Sequence, residues 1–482
     1  MIGENLSMSI SNSIYEHFMK QVFITPGNIA IEYGEEKITY NDLKNRVDTC
    51  ANIINNNLKC SNNAIGVCMN KSIDFIVVIF AIMKTKNIYV PLDFGYPEER
   101  LEYIMQDSQI DYVFLDENTK EKNIFTSKKQ LFIDMNYEKA AINYYFDNNV
   151  AYIMYTSGTT GLPKGVITTH NNILSRTLNP KYLKIFYEDK FLWGSNYCFD
   201  ASSFEIFTPL LNGATLVIPT QKGMQYLYQL PNIIEKNNIT VCFFTTSLFN
   251  VLAEGNLNKL KKLRVLLFGG EKVSVSHANL VNQALKKTEI IHVYGPTETT
   301  IFATYHVLNK KIKYNTTIPI GKPIDGTTIQ ISSENKELLI SGEGVSLGYL
   351  NKKEITDKKF TFNSNYKMYR TGDRVEYDNK KEIIFEGRID NQVKIRGFRI
   401  ELEEVENVLE NHFLIKEAYV TCEKDKLIAF VRTEKQLSIE YLYNYLSQKL
   451  PEFTIPSIFK EVSSFPLNAN GKVDRKKLIN LI

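Results

Sequence analysis

Residues 155–165 read YTSGTTGLPKG and follow a run of apolar residues at 150–154. The segment combines four Ser/Thr hydroxyls, three glycines and Lys164 at the end of a predicted strand. Such a loop presents backbone N–H groups and hydroxyl donors with little side-chain bulk, which suits a polyphosphate. The spacing GxxxxGK[ST] of the common nucleotide loop is absent, because Pro163 stands at the second glycine position. A flexible surface loop is the plain alternative, but the density of donors favours ATP as the ligand.

Short apolar runs alternate with amphipathic segments on both sides of this loop. Strands are predicted at residues 64–69, 88–92, 112–115, 191–194, 214–218, 241–244, 264–268 and 290–293, and helices at residues 72–84, 97–107, 203–211, 226–237 and 277–286. Apolar strands that alternate with helices form parallel sheets covered on both faces, so this part of the chain is predicted to be α/β.

The pattern changes in the last third of the chain. Residues 318–349 are rich in glycine and alternating apolar residues, which predicts a twisted antiparallel or barrel-like subdomain. After Asp390 come a charged helix (401–411), two strands (417–421 and 426–431) and a second helix (438–449). We therefore predict two domains: an N-terminal core of residues 1–389 and a small, mobile α+β domain of residues 390–482.

Composition narrows the classes of function. The chain has 482 residues, of which 44% are hydrophobic and 23% charged, and its formal net charge is +3. These values are typical of a soluble protein with more than one domain, and the small net charge gives no support for a nucleic-acid or membrane-surface partner. The six cysteines lack metal-site spacing, and neither a secretory signal nor a membrane span is predicted. We expect a cytoplasmic protein.

Nine segments occur in the order in which one protein family carries them. They are residues 39–43 (TYNDL), 89–93 (YVPLD), 155–165, 199–202 (FDAS), 294–300 (YGPTETT), 340–349 (ISGEGVSLGY), 369–374 (YRTGDR), 387–404 and 470–475 (NGKVDR). The chain thereby resembles the amino-acid adenylation domains of nonribosomal peptide synthetases, within the adenylate-forming superfamily. The resemblance implies a ligase of secondary metabolism that uses ATP and Mg²⁺ to form an aminoacyl-AMP with release of pyrophosphate. The aminoacyl group would then pass to the phosphopantetheine thiol of a peptidyl carrier protein.

This reaction brings together two anions, the substrate carboxylate and the α-phosphate, so cations and oriented dipoles must hold them in line. The resemblance implies that Lys472 is the catalytic cation in contact with both; the plain alternative is an exposed lysine in a turn. It also implies that Tyr294, expected to be exposed, stacks on adenine and that Thr297 meets phosphate oxygens. Glu298 would hold Mg²⁺, which prefers oxygen ligands. A β–α turn with a threonine N-cap would explain Thr297 alone.

Further nucleotide contacts are implied by the same resemblance. Asp373 should accept hydrogen bonds from both ribose hydroxyls, although without the motif it could be a turn aspartate. Arg388 should assist at the ribose or phosphate. The remaining positions are Thr156, Ser157, Gly158, Thr159, Thr160 and Lys164 in the glycine-rich loop, and Gly295 beside Tyr294.

The resemblance also implies a moving C-terminal domain. Asp390 matches the family's hinge, where a few backbone rotations move everything beyond it; the plain alternative is an ordinary linker residue. Lys472 would face ATP in the first half-reaction. In the second, the opposite face around Lys394 and Gly397 would line a tunnel for the incoming thiol.

Asp200 carries the most information about the substrate. The resemblance implies that its carboxylate pairs with the α-ammonium of an amino acid, which could not be buried without an anion. Taken alone, Asp200 could also be the N-cap of the predicted helix at 203–211, and both interpretations can hold. The positions that match the family's pocket are Asp200, Ala201, Phe204, Phe243, Leu267, Gly269, Val293, Ile301, Phe302 and Lys472. Apart from the two charged anchors these walls are apolar, which resembles pockets for branched aliphatic amino acids, with isoleucine or valine first and leucine next.

Three other functions stay open at this point. An acyl- or aryl-CoA ligase would not need Asp200, and a non-catalytic ATP-binding relative would not need Lys472. A D-alanine–carrier protein ligase resembles the chain in length, but its pocket usually admits only a methyl group. If the chain is the complete protein, we expect the carrier protein to be a partner in trans; if it is an excised domain, the carrier would be covalently attached.

Overall fold

The computed structural model describes residues 12–58, 61–121, 123–133, 149–158, 161–221, 223–363, 366–435, 437–466 and 473–482. The helices are α1 (Ile14–Ile24), α2 (Tyr40–Asn57), α3 (Ile73–Lys84), α4 (Glu98–Asp107), α5 (His170–Thr177), α6 (Ala201–Leu211), α7 (Gly223–Lys236), α8 (Thr246–Ala253), α9 (Val275–Ala284), α10 (Lys353–Lys359), α11 (Leu402–Glu410), α12 (Ile439–Ser447) and α13 (Arg475–Ile479).

The strands of the first half of the chain are β1 (Ile29–Tyr33), β2 (Glu36–Thr39), β3 (Ala64–Cys68), β4 (Ile88–Pro91), β5 (Tyr112–Leu115), β6 (Lys129–Leu131), β7 (Val150–Thr156), β8 (Lys164–Thr169), β9 (Lys190–Leu192), β10 (Thr215–Ile218) and β11 (Val241–Thr245). Those of the second half are β12 (Val265–Gly269), β13 (Glu289–Tyr294), β14 (Thr304–Val307), β15 (Lys322–Pro323), β16 (Thr327–Ile331), β17 (Glu337–Gly342), β18 (Gly348–Tyr349), β19 (Phe360–Asn363), β20 (Tyr366–Tyr377), β21 (Ile383–Arg388), β22 (Val393–Ile395), β23 (Phe398–Ile400), β24 (Ile415–Glu423), β25 (Lys426–Thr433) and β26 (Ile458–Glu461).

Two mixed sheets form the centre of the core. The first runs in the order β15-β14-β13-β12-β11-β9-β10-β1-β2, and β1 and β9 to β13 are parallel. The second runs in the order β18-β8-β7-β4-β3-β5-β6, and β3 to β7 are parallel. The predicted α/β core with parallel sheets is thus confirmed, with antiparallel strands added at the sheet edges.

Helix α3 shows why the sequence forms this layered core. The side chain of Ser72 caps its start by accepting a 3.1 Å hydrogen bond from the backbone N–H of Phe75. Residues 75–83 are all buried, since a helix that is apolar on every side must be covered on every side. One apolar cluster accordingly joins α1 to α3 and α6 with strands of both sheets.

The predicted helix at residues 97–107 is α4, but it begins one residue later than expected. Pro97 has an extended backbone, with φ −54° and ψ 149°, and occupies the N-cap position. Glu98 and Glu99 then lie in the first turn, where their negative charges interact favourably with the positive end of the helix dipole.

The predicted barrel-like subdomain is an antiparallel sheet. It runs in the order β16-β17-β20-β19, and β21 pairs with β20. An apolar cluster that includes Leu338, Ile340 and Val375 of this sheet packs against Tyr294 at the end of β13.

The C-terminal part is α+β, as predicted. The hairpin β22–β23 comes first, followed by β24, β25 and β26, with β25 and β26 parallel. Helices α11 and α12 cover these strands around a separate apolar cluster that includes Val405, Val420 and Leu446. Asp390 lies between β21 and β22; the domain boundary at this residue stays a prediction. Among the described helices, none has the length and apolar character needed to cross a membrane.

Candidate functional site

A cleft opens at the carboxyl ends of β11, β12 and β13, which is where ligands bind in open α/β sheets. It consists of two adjoining cavities of about 500 and 190 Å³. The hairpin β22–β23 covers it, and both cavities are lined by Gly295, Asp373, Arg388 and Lys394. The predicted site residues of the core and of the C-terminal part therefore meet at this cleft.

Asp373 and Tyr294 form one side of the larger cavity. The Tyr294 hydroxyl donates a hydrogen bond to Asp373 Oδ2, and Arg388 Nη1 donates to Asp373 Oδ1 at 2.6 Å. Tyr294 is only 8% exposed, so the expectation of an exposed tyrosine is wrong, because this hydrogen bond turns the ring into the protein. Burial, and then the Asp373 carboxylate, raise the pKa of Tyr294 well above its ordinary value.

Arg388 connects Asp373 to Asp390, the predicted hinge residue. Its Nε and Nη2 donate to the two carboxylate oxygens of Asp390 at 2.5 and 2.7 Å. Burial alone would raise the pKa of Asp390, but the Arg388 guanidinium holds it below its ordinary value. A bidentate pair of this kind fixes the carboxylate geometry.

Glu298 is fully buried next to Thr297, which lines the smaller cavity. Its two carboxylate oxygens accept from Arg399 Nη1 at 2.9 and 2.7 Å, and Oε1 also accepts from the Tyr349 hydroxyl at 2.5 Å. Burial alone would raise its pKa, but Arg399 and Lys164 lower it to about 2. Glu298 is therefore a carboxylate at every physiological pH.

The donor set around Glu298 does not fit a magnesium ion in this arrangement. Both of its oxygens already accept from a guanidinium, which a divalent cation would have to displace. Among the residues that the structure describes, His, Cys, Asp and Glu side chains do not gather in groups of three or more that could hold a metal. A magnesium site at Glu298 requires Arg399 to move away.

Asp200 lies at the inner end of the smaller cavity, directly before α6. It occupies the N-cap position but its side chain makes no capping hydrogen bond. Its Oδ2 instead accepts from the backbone N–H of Ile301 at 3.1 Å. Thr300 and Ile301 both have positive φ, at 59° and 65°, and this conformation is unfavourable for β-branched residues. The strained turn aims the Ile301 amide at Asp200, so the plain N-cap interpretation does not describe this side chain.

The environment of Asp200 also shifts the pKa of its carboxyl group. Burial raises the pKa of Asp200 to about 6; the nearby Glu298 carboxylate contributes to this rise, while the hydrogen bond from Ile301 and the Lys394 ammonium oppose it. Burial thus disfavours the ionised form of Asp200, and a cation beside the carboxylate would stabilise that form.

Most of the predicted pocket residues surround the space beside Asp200. Those that line the cavity are Ala201, Phe243, Gly269, Val293, Ile301 and Phe302. At Gly269 a Cβ atom would lie 2.0 Å from the carbonyl oxygen of Val293, so no larger residue fits.

Phe204 and Leu267 are also buried, at 1% and 0% exposure, but they do not line this cavity. The Phe204 ring lies behind that of Phe302, with centroids 5.3 Å apart, so its prediction as a direct wall is corrected. The Phe243 and Phe302 rings, 5.4 Å apart, form the aromatic wall instead.

The glycine-rich loop contacts the C-terminal part. Ser157 Oγ donates to the carbonyl oxygen of Arg399 at 2.8 Å, and Lys164 Nζ lies 3.3 Å from Glu401 Oε1. The Thr156 hydroxyl is buried without a partner among the described residues. A Cβ at Gly158 would lie 1.9 Å from the carbonyl oxygen of Leu162, which explains glycine at this position. Thr159 and Thr160 lie outside the described residues.

Lys394 enters the cleft from β22. Its ammonium is 5.8 Å from the centroid of the Tyr294 ring, and burial lowers its pKa. Thr297 follows the end of β13, and the interaction of its hydroxyl with Asp200 lowers the pKa of that carboxyl. Lys472 lies outside the described residues, so its predicted role is untested.

Four charged residues at or beside the cleft form long-range ion pairs that were not predicted from the sequence. Arg399, Glu401 and Glu404 belong to the quoted segment 387–404, but only Arg388, Asp390, Lys394 and Gly397 received a role there. The signal was therefore present, as charged residues on both sides of a glycine. Arg100 follows two glutamates at the start of α4 and offers no sequence signal, because its partner Glu404 is distant in the chain.

Comparison with known proteins places this geometry in a family. The AMP-binding enzyme family matches residues 18–350, and the AMP-binding enzyme C-terminal domain matches residues 404–472. Bacitracin synthase 3 of Bacillus licheniformis is 36% identical over 487 residues, which cover 96% of the chain and 8% of that protein. The chain thus spans a small fraction of the length of this relative.

Solved structures agree with this assignment. A nonribosomal peptide synthetase protein that contains adenylation and PCP domains, bound to a vinylsulfonamide inhibitor, has a TM-score of 0.89 at 25% identity, covering 97% of the chain and 84% of that structure. An artificially fused adenylation–PCP di-domain from Klebsiella oxytoca has a TM-score of 0.84 at 25% identity, covering 93% of each chain. The chain belongs to the AMP-binding enzyme family and is an adenylation domain of the nonribosomal peptide synthetase type.

Proposed function

We propose that the chain activates an amino acid with a branched aliphatic side chain, isoleucine, valine or leucine, and passes it to a carrier protein. The observation that carries this proposal is Asp200, a carboxylate held by the Ile301 amide in a cavity whose other predicted walls are apolar. Its raised pKa means that the surroundings disfavour the ionised carboxylate, so a further cation beside it would stabilise this form. The α-ammonium of an amino acid supplies that cation.

The walls beyond Asp200 favour an apolar substrate side chain. Phe243, Val293, Ile301 and Phe302 offer no polar side-chain group, so a charged or amide substrate would leave buried polar groups unpaired. Branched aliphatic side chains avoid this cost. A single methylene is worth only about 1–3 kcal/mol in an apolar pocket, and overlapping activity on isoleucine, valine and leucine is therefore expected.

In the first half-reaction, an oxygen of the substrate carboxylate attacks the α-phosphorus of ATP. The bond between the α-phosphorus and the bridging oxygen breaks, and pyrophosphate leaves with the electron pair. We assign Lys472 to the two reacting anions, since a cation between them offsets their repulsion. We assign the donors of the glycine-rich loop, with Thr297, to the phosphates, and Tyr294, Gly295, Asp373 and Arg388 to the nucleoside.

In the second half-reaction, the phosphopantetheine thiolate of a carrier protein attacks the acyl carbon, and the bond from that carbon to the AMP oxygen breaks. We infer that Asp390 is the hinge between the two orientations of the C-terminal domain. The position of Lys394 and Gly397 over the cleft supports their assignment to the thiol side. The adenylation–PCP composition of the similar solved structures supports a carrier protein as partner.

The test is exchange of labelled pyrophosphate into ATP, measured with each of the twenty amino acids and with their deaminated analogues. Isoleucine, valine and leucine should support exchange, and the analogue of each that lacks the amino group should not. Equal exchange with the deaminated acids would contradict the role of Asp200 and would favour an acyl-CoA ligase.

A further inference from the structure

Helix α5 carries a buried cation that the two proposed half-reactions do not use. Arg176 is 1% exposed. Its Nη1 donates to the carbonyl oxygen of Asp325 at 3.1 Å, whereas Nε and Nη2 have no hydrogen-bond partner among the described residues. Burial lowers the pKa of Arg176 to about 10, so the side chain is still a cation at neutral pH. A buried charge with few hydrogen bonds is unfavourable for stability, and stability alone therefore does not account for an arginine at this position.

The Arg176 guanidinium packs against the backbone of Gly344, in the loop between β17 and β18. A Cβ atom at Gly344 would lie 2.0 Å from Nη2 and 2.5 Å from both Cζ and Nε, so glycine is needed for this close approach. One helical turn earlier in α5, Nδ2 of Asn172 donates to the carbonyl oxygens of Glu343 and Val345 at 2.6 and 3.1 Å. Helix α5 thus holds three consecutive residues of this loop.

Gly344 in turn holds the strained turn that faces Asp200. Its carbonyl oxygen accepts a 2.8 Å hydrogen bond from the Thr300 hydroxyl. Thr300 and Ile301 both have positive φ, and the Ile301 N–H is the donor to Asp200 Oδ2. On its other side the turn packs against Gly295, where a Cβ would lie 2.5 Å from the Ile301 carbonyl oxygen. The turn is therefore held between two glycines.

A turn of this kind depends on its surroundings. Positive φ is unfavourable for β-branched residues, and such residues persist only where neighbouring contacts over-determine their conformation. The Thr300 hydroxyl bonds to the loop that Arg176 and Asn172 hold. If this loop shifted, the turn would relax, and the Ile301 amide would no longer point at Asp200.

From these contacts we propose that Arg176 is a positioning residue for recognition of the amino acid. It acts through Gly344 and Thr300 to keep the Ile301 amide on Asp200, and so fixes the carboxylate where the α-ammonium of the substrate binds. Among the described residues that line the two cavities, Arg176 is absent, so it acts through these neighbours and not by contact with the substrate. The inference rests on the proposed function and assigns Arg176 to the amino-acid site rather than to the nucleotide.

The kinetic test is pyrophosphate exchange by the full chain, with the amino acid and ATP varied in turn. Arg176→Met replaces the guanidinium by an apolar chain, and Thr300→Val replaces the hydroxyl by a methyl group. In both variants the KM for the amino acid should rise roughly five- to tenfold, as expected for the loss of about one hydrogen bond. The KM for ATP and kcat should stay within about twofold of wild type, because the variants leave the nucleotide contacts in place.

A surface cation beside the same segment provides the matched control. Lys181 Nζ lies 2.5 Å from Oδ2 of Asp325, the residue whose carbonyl oxygen accepts from Arg176, and Lys181 is 83% exposed. Lys181→Met should match wild type in both KM values, since an exposed pair contributes little.

Arg176 and Thr300 lie on one route to the Ile301 amide, so their effects should not add. The double variant should raise the KM for the amino acid by no more than about twice the larger single effect. Independent effects would instead multiply to roughly 25- to 100-fold, and this result would overturn the proposed route.

Urea unfolding separates positioning from a structural role. Replacement of a buried charge by an apolar side chain is often neutral or stabilising, so the unfolding midpoint of Arg176→Met should equal or exceed that of wild type. A lower midpoint together with an equal rise in both KM values would contradict the proposal, as would an unchanged KM for the amino acid in either variant. If Arg176→Met does not fold, Thr300→Val alone decides. If wild type exchanges pyrophosphate with no amino acid, the proposed function fails instead, and this is known before any variant is made.

Discussion

The Asp200→Asn substitution should stabilise the protein at neutral pH while it impairs activity. The structure raises the pKa of Asp200 from 3.8 to about 6, so the folded protein keeps this proton to a higher pH than the unfolded chain does. The free energy of unfolding therefore falls as pH rises through this window. Each pH unit is worth about 1.4 kcal/mol, which makes the ionised carboxylate unfavourable by about 3 kcal/mol at pH 7.

Asparagine removes the charge and keeps a carbonyl oxygen for the Ile301 amide. We therefore expect Asp200→Asn to exceed wild type in unfolding free energy by about 2–3 kcal/mol at pH 7, and the gain should vanish near pH 4. The assay is urea unfolding followed by the fluorescence of Trp193, which is the single tryptophan of the chain and is buried in the core. Asp325→Asn, which breaks an exposed pair with Lys181, should leave the free energy of unfolding unchanged within the error of the measurement.

The same substitution should lower kcat/KM for the amino acid. Loss of a charge partner in a buried site costs about 2–5 kcal/mol, or roughly 30-fold to several thousandfold. A variant that is less stable than wild type at pH 7, or whose stability difference is independent of pH, would refute the electrostatic account of Asp200. Normal activity on isoleucine would refute its role in substrate binding.

Three further substitutions test other parts of the cleft. Lys472→Ala should abolish pyrophosphate exchange while ATP binding, measured by calorimetry, survives; unchanged exchange would remove Lys472 from the reaction. Glu298→Gln should destabilise the protein by about 3–5 kcal/mol, because it leaves Arg399 buried without its anion. Since the pKa of Glu298 is lowered to about 2, this loss should be full above about pH 4.5 and should shrink as pH falls toward 2; a loss independent of pH would contradict it. Gly397→Ala should slow transfer but not exchange, since the residue has φ 84° and a Cβ would lie 2.5 Å from Cγ2 of Thr245; equal effects on both would contradict the assignment to the thiol side.

Local sequence patterns predicted the elements of the fold well. The apolar run at 75–83 and the alternation of strands and helices predict a set of layers covered on both faces. The antiparallel edge strands were harder to predict from the sequence. Strands as short as β15 and β18 carry too few residues to show a period.

The site was predictable where a motif carries it and not where distant segments meet. Asp200 came from its motif, but its hydrogen bond to Ile301 depends on a strained turn that no periodicity reveals. Tyr294 lies at the end of β13 as expected, yet its burial follows from a partner 79 residues away. The pair of Arg100 and Glu404 spans 304 residues, and only the assembled domains show it.

The most direct test of the account is the fate of a carboxylate oxygen. The best substrate of the exchange screen is prepared with oxygen-18 at both carboxyl oxygens, and AMP is isolated after transfer to the thiol. Because the carboxylate oxygen attacks the α-phosphorus and the acyl carbon then leaves it behind, AMP should carry one oxygen-18 atom for each molecule of thioester formed. Unlabelled AMP, with thioester formed in the same reaction, would contradict activation through an aminoacyl-AMP.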